Sequence, residues 1–186
     1  MGIRKRPVIS DLVNREDLWV FGYGSLIWNP GFKYCENRIG YIDGFSRKLY
    51  QGNVTHRGRP GLPGRVATLL EDQDSRVWGR SFHVVGLNEV RLCLEHLGLR
   101  ECILGGYDIE FVEFHTSSRT LLNEKKSQSS KPLEALVFIA LPSNHLYLGP
   151  GTCDEMARCI FQNEGASGCN LDYFLGILEF LQESVP

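Results

Sequence analysis

Apolar positions along this chain change period several times, and each change marks an element. Residues 18–22, Leu-Trp-Val-Phe-Gly, form a short apolar run that reads as a buried strand entering a turn. A strand pair over 39–42 and 45–51 is expected around Asp43-Gly44, a favoured hairpin turn. Strands are predicted again at 65–70 and 77–85. Between 87 and 97 the period lengthens: Leu87, Val90, Leu94 and Leu97 recur at helical spacing, which predicts a helix packed on the sheet and stopped by Gly98. Residues 107–115 and the continuous apolar run 133–140 predict two more strands. Thr152-Cys153-Asp154-Glu155 has capping-box spacing for a helix through Asn163. Asn170 is expected to cap a last amphipathic helix to about Gln182, with Leu171, Phe174, Leu175 and Leu178 facing inward.

The polar stretches divide these elements. Residues 1–17 read as a poorly ordered polar tail, and 18–186 as one domain. Residues 52–64 are rich in glycine and proline, a loop long enough to suspect a function. Residues 116–131, rich in Ser and Lys, read as a surface insertion. Strands come first, then one helix, more strands and two helices, with no internal repeat. That order predicts an α+β layout around a largely antiparallel, barrel-like sheet, rather than alternating βαβ units.

Composition narrows the function classes. Of the 186 residues, 42% are hydrophobic and 23% charged, which sets aside disordered and collagen-like chains. A net charge of -2 leaves no footprint for nucleic acid, and Arg4-Lys5-Arg6 reads as a solvated tail cluster. No apolar run has the length of a membrane span or the form of a signal peptide, so a cytosolic protein without a membrane partner is expected. The six cysteines form no Cys-x-x-Cys pair and the five histidines no metal-ligand spacing. The expectation is six free, mostly buried thiols, with no metal and no organic cofactor.

Four places hold candidate chemistry. In Phe21-Gly22-Tyr23-Gly24-Ser25-Leu26 a buried strand ends in two spaced glycines, which lets N–H groups converge on an anion or a developing oxyanion. The spacing suits neither a dinucleotide fingerprint nor a nucleophile elbow, and pattern alone favours a tight β-turn. Glu101 follows a helix end among apolar residues; burial would raise its pKa toward that of a general base. Residue type alone favours a surface Glu paired with Arg100, and Cys102 beside it reads as a buried thiol. Tyr147, in Tyr-Leu-Gly-Pro, can reach over the strand ends or close the core's edge. On a strand, Arg47, Leu49 and Gln51 share a face, so Arg47 and Gln51 are candidates for a polar site wall or for solvent-facing positions.

Taken together and in order, these blocks resemble the ChaC family of γ-glutamylcyclotransferases. The resemblance rests on Trp-Val-Phe-Gly-Tyr-Gly-Ser-Leu at 19–26, Phe-Ser-Arg-Lys-Leu-Tyr-Gln-Gly at 45–52 and His56-Arg57-Gly58. Pro63-Gly64-Arg65-Val66, Trp78-Gly79, Arg100-Glu101, Gly105-Gly106-Tyr107 and Tyr147-Leu148-Gly149-Pro150 extend it over nearly the whole chain. Tyr50 departs from it, standing where family members often have Trp.

The resemblance implies a γ-glutamylcyclotransferase-like fold, a small mixed or antiparallel β-barrel with flanking helices, and a lyase of glutathione catabolism. Glutathione would be cleaved to 5-oxoproline and Cys-Gly, with no cofactor, by a monomer. It also implies Glu101 as the catalytic acid/base and substrate contacts from Val20, Phe21, Gly22, Tyr23, Gly24, Ser25, Leu26 and Tyr147. Arg47 and Gln51 join them as candidate contacts. The α-amine of the γ-glutamyl group would attack its own side-chain amide, so no enzyme nucleophile is required. A cyclotransferase for other γ-glutamyl amines and a non-catalytic γ-glutamyl-binding or protein-interaction module are the alternatives.

Overall fold

Strand β1 (Asp17–Gly22) lies at the seam of a closed five-stranded barrel. The computed structural model describes residues 7–103, 106–117 and 131–185. Strands β2 (Glu36–Asn53) and β3 (Gly64–Val85) are long antiparallel partners that wrap most of the barrel. β4 (Asp108–Thr116) pairs with β2, β5 (Leu133–Ile139) pairs with β4, and a parallel β1–β5 contact closes the circuit.

Period-two alternation sorts β1 between two cores. Phe21 points into the barrel with Phe45, Phe114, Val137 and Tyr173, while Leu18 and Val20 point out, toward a helix. That helix, α2 (Leu87–Leu97), buries Val90, Cys93, Leu94 and Leu97 against Val84, Leu136 and Phe138. Short α1 (Ile9–Leu12) adds Leu12, 4% exposed, to the same layer. α3 (Cys153–Gln162) opens with the expected capping box, with Thr152 and Glu155 each bonding the other's backbone N–H. A small hairpin, β6 (Glu164–Gly165) and β7 (Gly168–Cys169), leads into α4 (Asn170–Ser184). Among the described residues no helix is long and apolar enough to cross a membrane.

Several local expectations are corrected. Asp43-Gly44 is not a hairpin turn but a register shift inside β2, with Gly44 at φ 82°, and the two predicted strands are one. Likewise 65–70 and 77–85 belong to the single strand β3. A bulge of this kind bends a long strand around a barrel without ending it. Gly98 does not stop α2: it keeps right-handed helical angles, and the chain continues into a π-helical turn, Gly98–Ile103.

At the start of α4 the side chain of Asn170 caps nothing. It is fully buried, accepting from the Arg65 N–H at 2.6 Å and donating to the Arg65 carbonyl at 2.8 Å, as a paired strand would. This clasp turns Tyr173, Ile177 and Phe180 inward, and leaves Leu175 and Leu178 exposed. Leu87, expected in the core face of α2, is also exposed, with Cys93 in its place. All six cysteines are free, but only Cys93 is buried, because Cys35, Cys153 and Cys169 fall on surface segments. Within the segment expected to be a tail, Leu12 is held in the second core and Arg91 bonds the Val13 carbonyl at 3.0 Å. Residues 118–130 of the expected insertion, and Gly105 of the Gly-Gly pair, lie outside the described residues.

Candidate active site

β1 delivers its last residues to one end of the barrel. Beyond Gly22 the chain makes a single 3₁₀ turn, Ser25–Ile27, preceded by Gly24, which offers no side-chain cap. The first N–H groups of such a turn have no partner inside it and are available to an anion. Both glycines are required for space rather than for φ: a Cβ on Gly22 would stand 2.7 Å from Leu26 Cβ, and one on Gly24 2.7 Å from the Tyr173 hydroxyl.

The π-helical turn after α2 brings Arg100 and Glu101 to the same place. π-turns widen the helix by one residue and recur at functional sites. Here the widened turn sets the Arg100 guanidinium between three acceptors. Its Nε lies 2.9 Å from Glu101 Oε1, Nη2 donates to Ser25 Oγ at 2.7 Å, and Nη1 donates to the Asn29 carbonyl at 2.9 Å. One side chain therefore ties the carboxylate to the glycine turn. Glu101 is 15% exposed and Arg100 17%. Burial pushes the Glu101 carboxyl up from its ordinary value, against the pull of Arg100. A carboxylate so placed is a poorer anion and a better base than one in water.

Three tyrosines floor the site, Tyr23 and Tyr173 buried and Tyr107 half-buried. Tyr23 donates to the Phe138 carbonyl at 2.5 Å, and Tyr107 to the Ala67 carbonyl at 3.3 Å. Tyr173 instead accepts, from the Ala67 N–H at 2.9 Å. Burial raises all three phenols, Tyr173 to about 12. Trp28 packs edge-on against Tyr173, their ring centres 5.9 Å apart, and its far edge rests on Gly176 of α4.

The remaining wall is the β2–β3 loop. Asn53 Oδ1 gathers the N–H groups of Thr55, His56 and Arg57, and the β6–β7 hairpin clamps the loop from outside through the Thr55 and His56 carbonyls. His56, bonded to Ser167 Oγ at 3.0 Å, and His96 are both pushed down by burial and by nearby arginines, so their imidazoles are neutral at physiological pH.

These elements enclose a cavity of about 250 Å3. Of the residues expected from the sequence, Phe21, Tyr23, Gly24, Ser25, Leu26 and Glu101 line it. Val20, Gly22, Arg47, Gln51 and Tyr147 do not. Strand alternation turns Val20 to the outer core, and Gly22 packs on Leu26. Arg47 lies deeper in the barrel, where it donates to the Trp78 carbonyl and stands in electrostatic reach of Tyr23 and Tyr173. Gln51 is fully buried, bonded to Asn144 and bridged to Tyr147, whose ring packs edge-on against Tyr50. The proposed Arg100 partnership of Glu101 is real, but it is an inward pair at the cavity wall and not a surface one.

Sequence reading passed over Arg100, Tyr107, Tyr173, Trp28, His56 and His96 as cavity residues. Arg100 sat beside the chosen carboxylate and was legible there. Tyr173 had no local signal, since it comes 150 residues after Tyr23 and meets it only through the fold.

The family model described as ChaC-like protein matches residues 18–186. Glutathione-specific γ-glutamylcyclotransferase 1 of Danio rerio is 40% identical over 178 residues, which cover 95% of this chain and 86% of that protein. The protein of the same name from Homo sapiens is 42% identical over 169 residues, 91% of this chain and 72% of its own length. Among solved structures, a γ-glutamyl cyclotransferase specific to glutathione from yeast superposes with a TM-score of 0.78 at 26% identity, covering 92% of this chain and 90% of that one. With the family model spanning almost the entire chain and relatives this similar along their length, the chain belongs to the ChaC-like family.

Proposed function

We propose that this chain is a glutathione-specific γ-glutamylcyclotransferase, releasing 5-oxoproline and Cys-Gly. The observation that carries the reading is Glu101, a buried and raised carboxylate, tied by Arg100 to the open glycine turn across one small cavity. At about 250 Å3 the cavity is below the roughly 300–1,000 Å3 that encloses drug-sized ligands. It suits a compact γ-glutamyl head folded on itself.

The chemistry follows from that confinement. The substrate's α-amine and γ-carbonyl belong to one molecule, and holding them in contact replaces a bimolecular encounter. Glu101 takes a proton from the α-ammonium, freeing the nitrogen lone pair. Attack closes the five-membered ring, Glu101 returns that proton to the departing cysteine nitrogen, and the second proton left on the ring nitrogen passes by the same carboxylate to the released amine. Arg100 occupies Oε1 and so leaves Oε2 for the proton. The Gly24–Leu26 backbone, at the positive end of its turn, anchors the α-carboxylate.

The six free thiols support a reducing compartment, the cytosol. The test is to mix pure protein with glutathione and measure 5-oxoproline and Cys-Gly in equal amounts. Absence of both sinks the reading. A γ-glutamyl-alanine arm separates glutathione specificity from a general γ-glutamyl amine activity, which would turn over both equally.

A further inference from the structure

We infer that the Tyr173 hydroxyl donates the hydrogen bond that holds the oxyanion formed when the substrate's γ-carbonyl is attacked. This assignment rests on the cyclotransferase reading above and adds a catalytic residue to it.

Three phenols face the cavity, and their hydrogen bonds differ in direction. Those of Tyr23 and Tyr107 spend their protons on the Phe138 and Ala67 carbonyls. That of Tyr173 receives a proton from the Ala67 N–H, so its own hydrogen has no acceptor among the described residues. The side chain is almost wholly buried, at 4% exposure, and lines the cavity. A buried donor left unspent in a native fold calls for a ligand, and here it faces the place where one binds.

Position and electrostatics agree. The hydroxyl lies directly over Gly24, 2.7 Å from where a Cβ would be. It therefore shares the glycine turn with the anchored substrate head. The Ala67 N–H polarises the hydroxyl and makes it a stronger donor. Arg47 stands behind it in the barrel, Arg57 lies over its ring at 5.9 Å, and Glu101, Arg100, Tyr23 and Tyr107 complete the titratable groups in reach.

In the step itself the α-nitrogen lone pair forms the new C–N bond and the carbonyl π pair moves to oxygen. Tyr173 donates to that oxygen without losing its proton. The π bond then re-forms, the old C–N bond breaks, the leaving nitrogen takes a proton from Glu101, and the ring nitrogen gives its extra proton to the carboxylate so freed. A fixed donor aimed at such an oxygen is typically worth about 10²–10³ in rate.

Tyr173→Phe is expected to lower kcat by about 10²–10³ with KM changed only a few-fold. Tyr41→Phe, on β2 outside the cavity where its ring packs on Trp78 and His115, serves as the control and should keep kcat within about tenfold. A Tyr173→Phe kcat within tenfold of wild type, or equal losses in both variants, would overturn the assignment. If wild type itself yields no 5-oxoproline, the reaction falls and Tyr173's part with it, a result distinct from an active wild type with an unimpaired variant. Should Tyr173→Phe fail to fold, 3,5-difluorotyrosine at 173 retains the ring and the Ala67 bond while lowering the phenol pKa from about 12. An alkaline fall in kcat moving down with fluorination supports the donor, and an unmoved profile overturns it.

Discussion

Glu101 and Arg100 are neighbours in sequence with separate parts in one proton transfer: the carboxylate carries the proton and the guanidinium holds the carboxylate in place. Burial makes the carboxylate costly and basic, and the guanidinium limits that cost while fixing one oxygen. Glu101→Gln retains the shape and an oxygen for Arg100 but not the proton transfer. Turnover of glutathione should fall by about 10²–10⁴, with the fold intact by circular dichroism. In the active enzyme kcat/KM should decline as pH drops through the raised Glu101 value, because the protonated base is idle.

The same shift has a stability consequence. A carboxyl raised in the folded state binds protons there more readily than in the unfolded chain, so its contribution to stability is lost as pH rises through that window. The melting temperature of Glu101→Gln minus that of wild type should therefore grow from about pH 4 to about pH 7. A difference that shrinks over that range would contradict the raised value. Gly24→Ala tests the opposite wall: its methyl would stand 2.7 Å from the Tyr173 hydroxyl. Overpacking there should cost about 1–3 kcal/mol by urea melts, and displacement of the reacting groups about 10²-fold in kcat/KM.

At the scale of elements, the site depends on how α4 is joined to β3. Asn170 imitates a strand neighbour to Arg65, and one turn later Tyr173 reaches Ala67. Asn170→Ala leaves the Arg65 N–H and carbonyl buried and unpaired, at about 1–3 kcal/mol each. The urea midpoint should drop with the slope unchanged, and glutathione turnover should fall with it as Tyr173 loses its register. An unchanged midpoint would mean that water replaces the clasp. This joint was hidden in the sequence because Asn before a helix ordinarily reads as a cap. The same limit applied at Asp43-Gly44 and Gly98: the residue types were recognised as special, but a bulge and a turn, or a helix stop and a π-turn, share their local chemistry.

The whole barrel holds the cavity open at one end, so substrate binding and folding are linked. Glu101→Gln is the suitable protein, since it binds without consuming its ligand. Glutathione at about 100 times its Kd should stabilise it by about 2.7 kcal/mol. For a chain of this size that is a rise of roughly 5–10 °C in Tm. No shift at saturating glutathione would show that the carboxylate is needed for binding as well as for chemistry.

What the sequence by itself determined was local: the strand into Gly22, the period of α2, the capping box of α3, the α+β order and the glycine turn. Each is written in neighbouring residues through alternation, spacing or backbone freedom. The resemblance of ordered motifs added Glu101, which composition alone left as a surface charge. Tertiary structure decided the rest. Only barrel closure shows that Val20 faces a helix while Phe21 faces the cavity, and that Arg47 and Gln51 lie behind the wall. Only the packing of α4 brings Tyr173 to Gly24, because that contact joins residues far apart in the chain and leaves no period in either one.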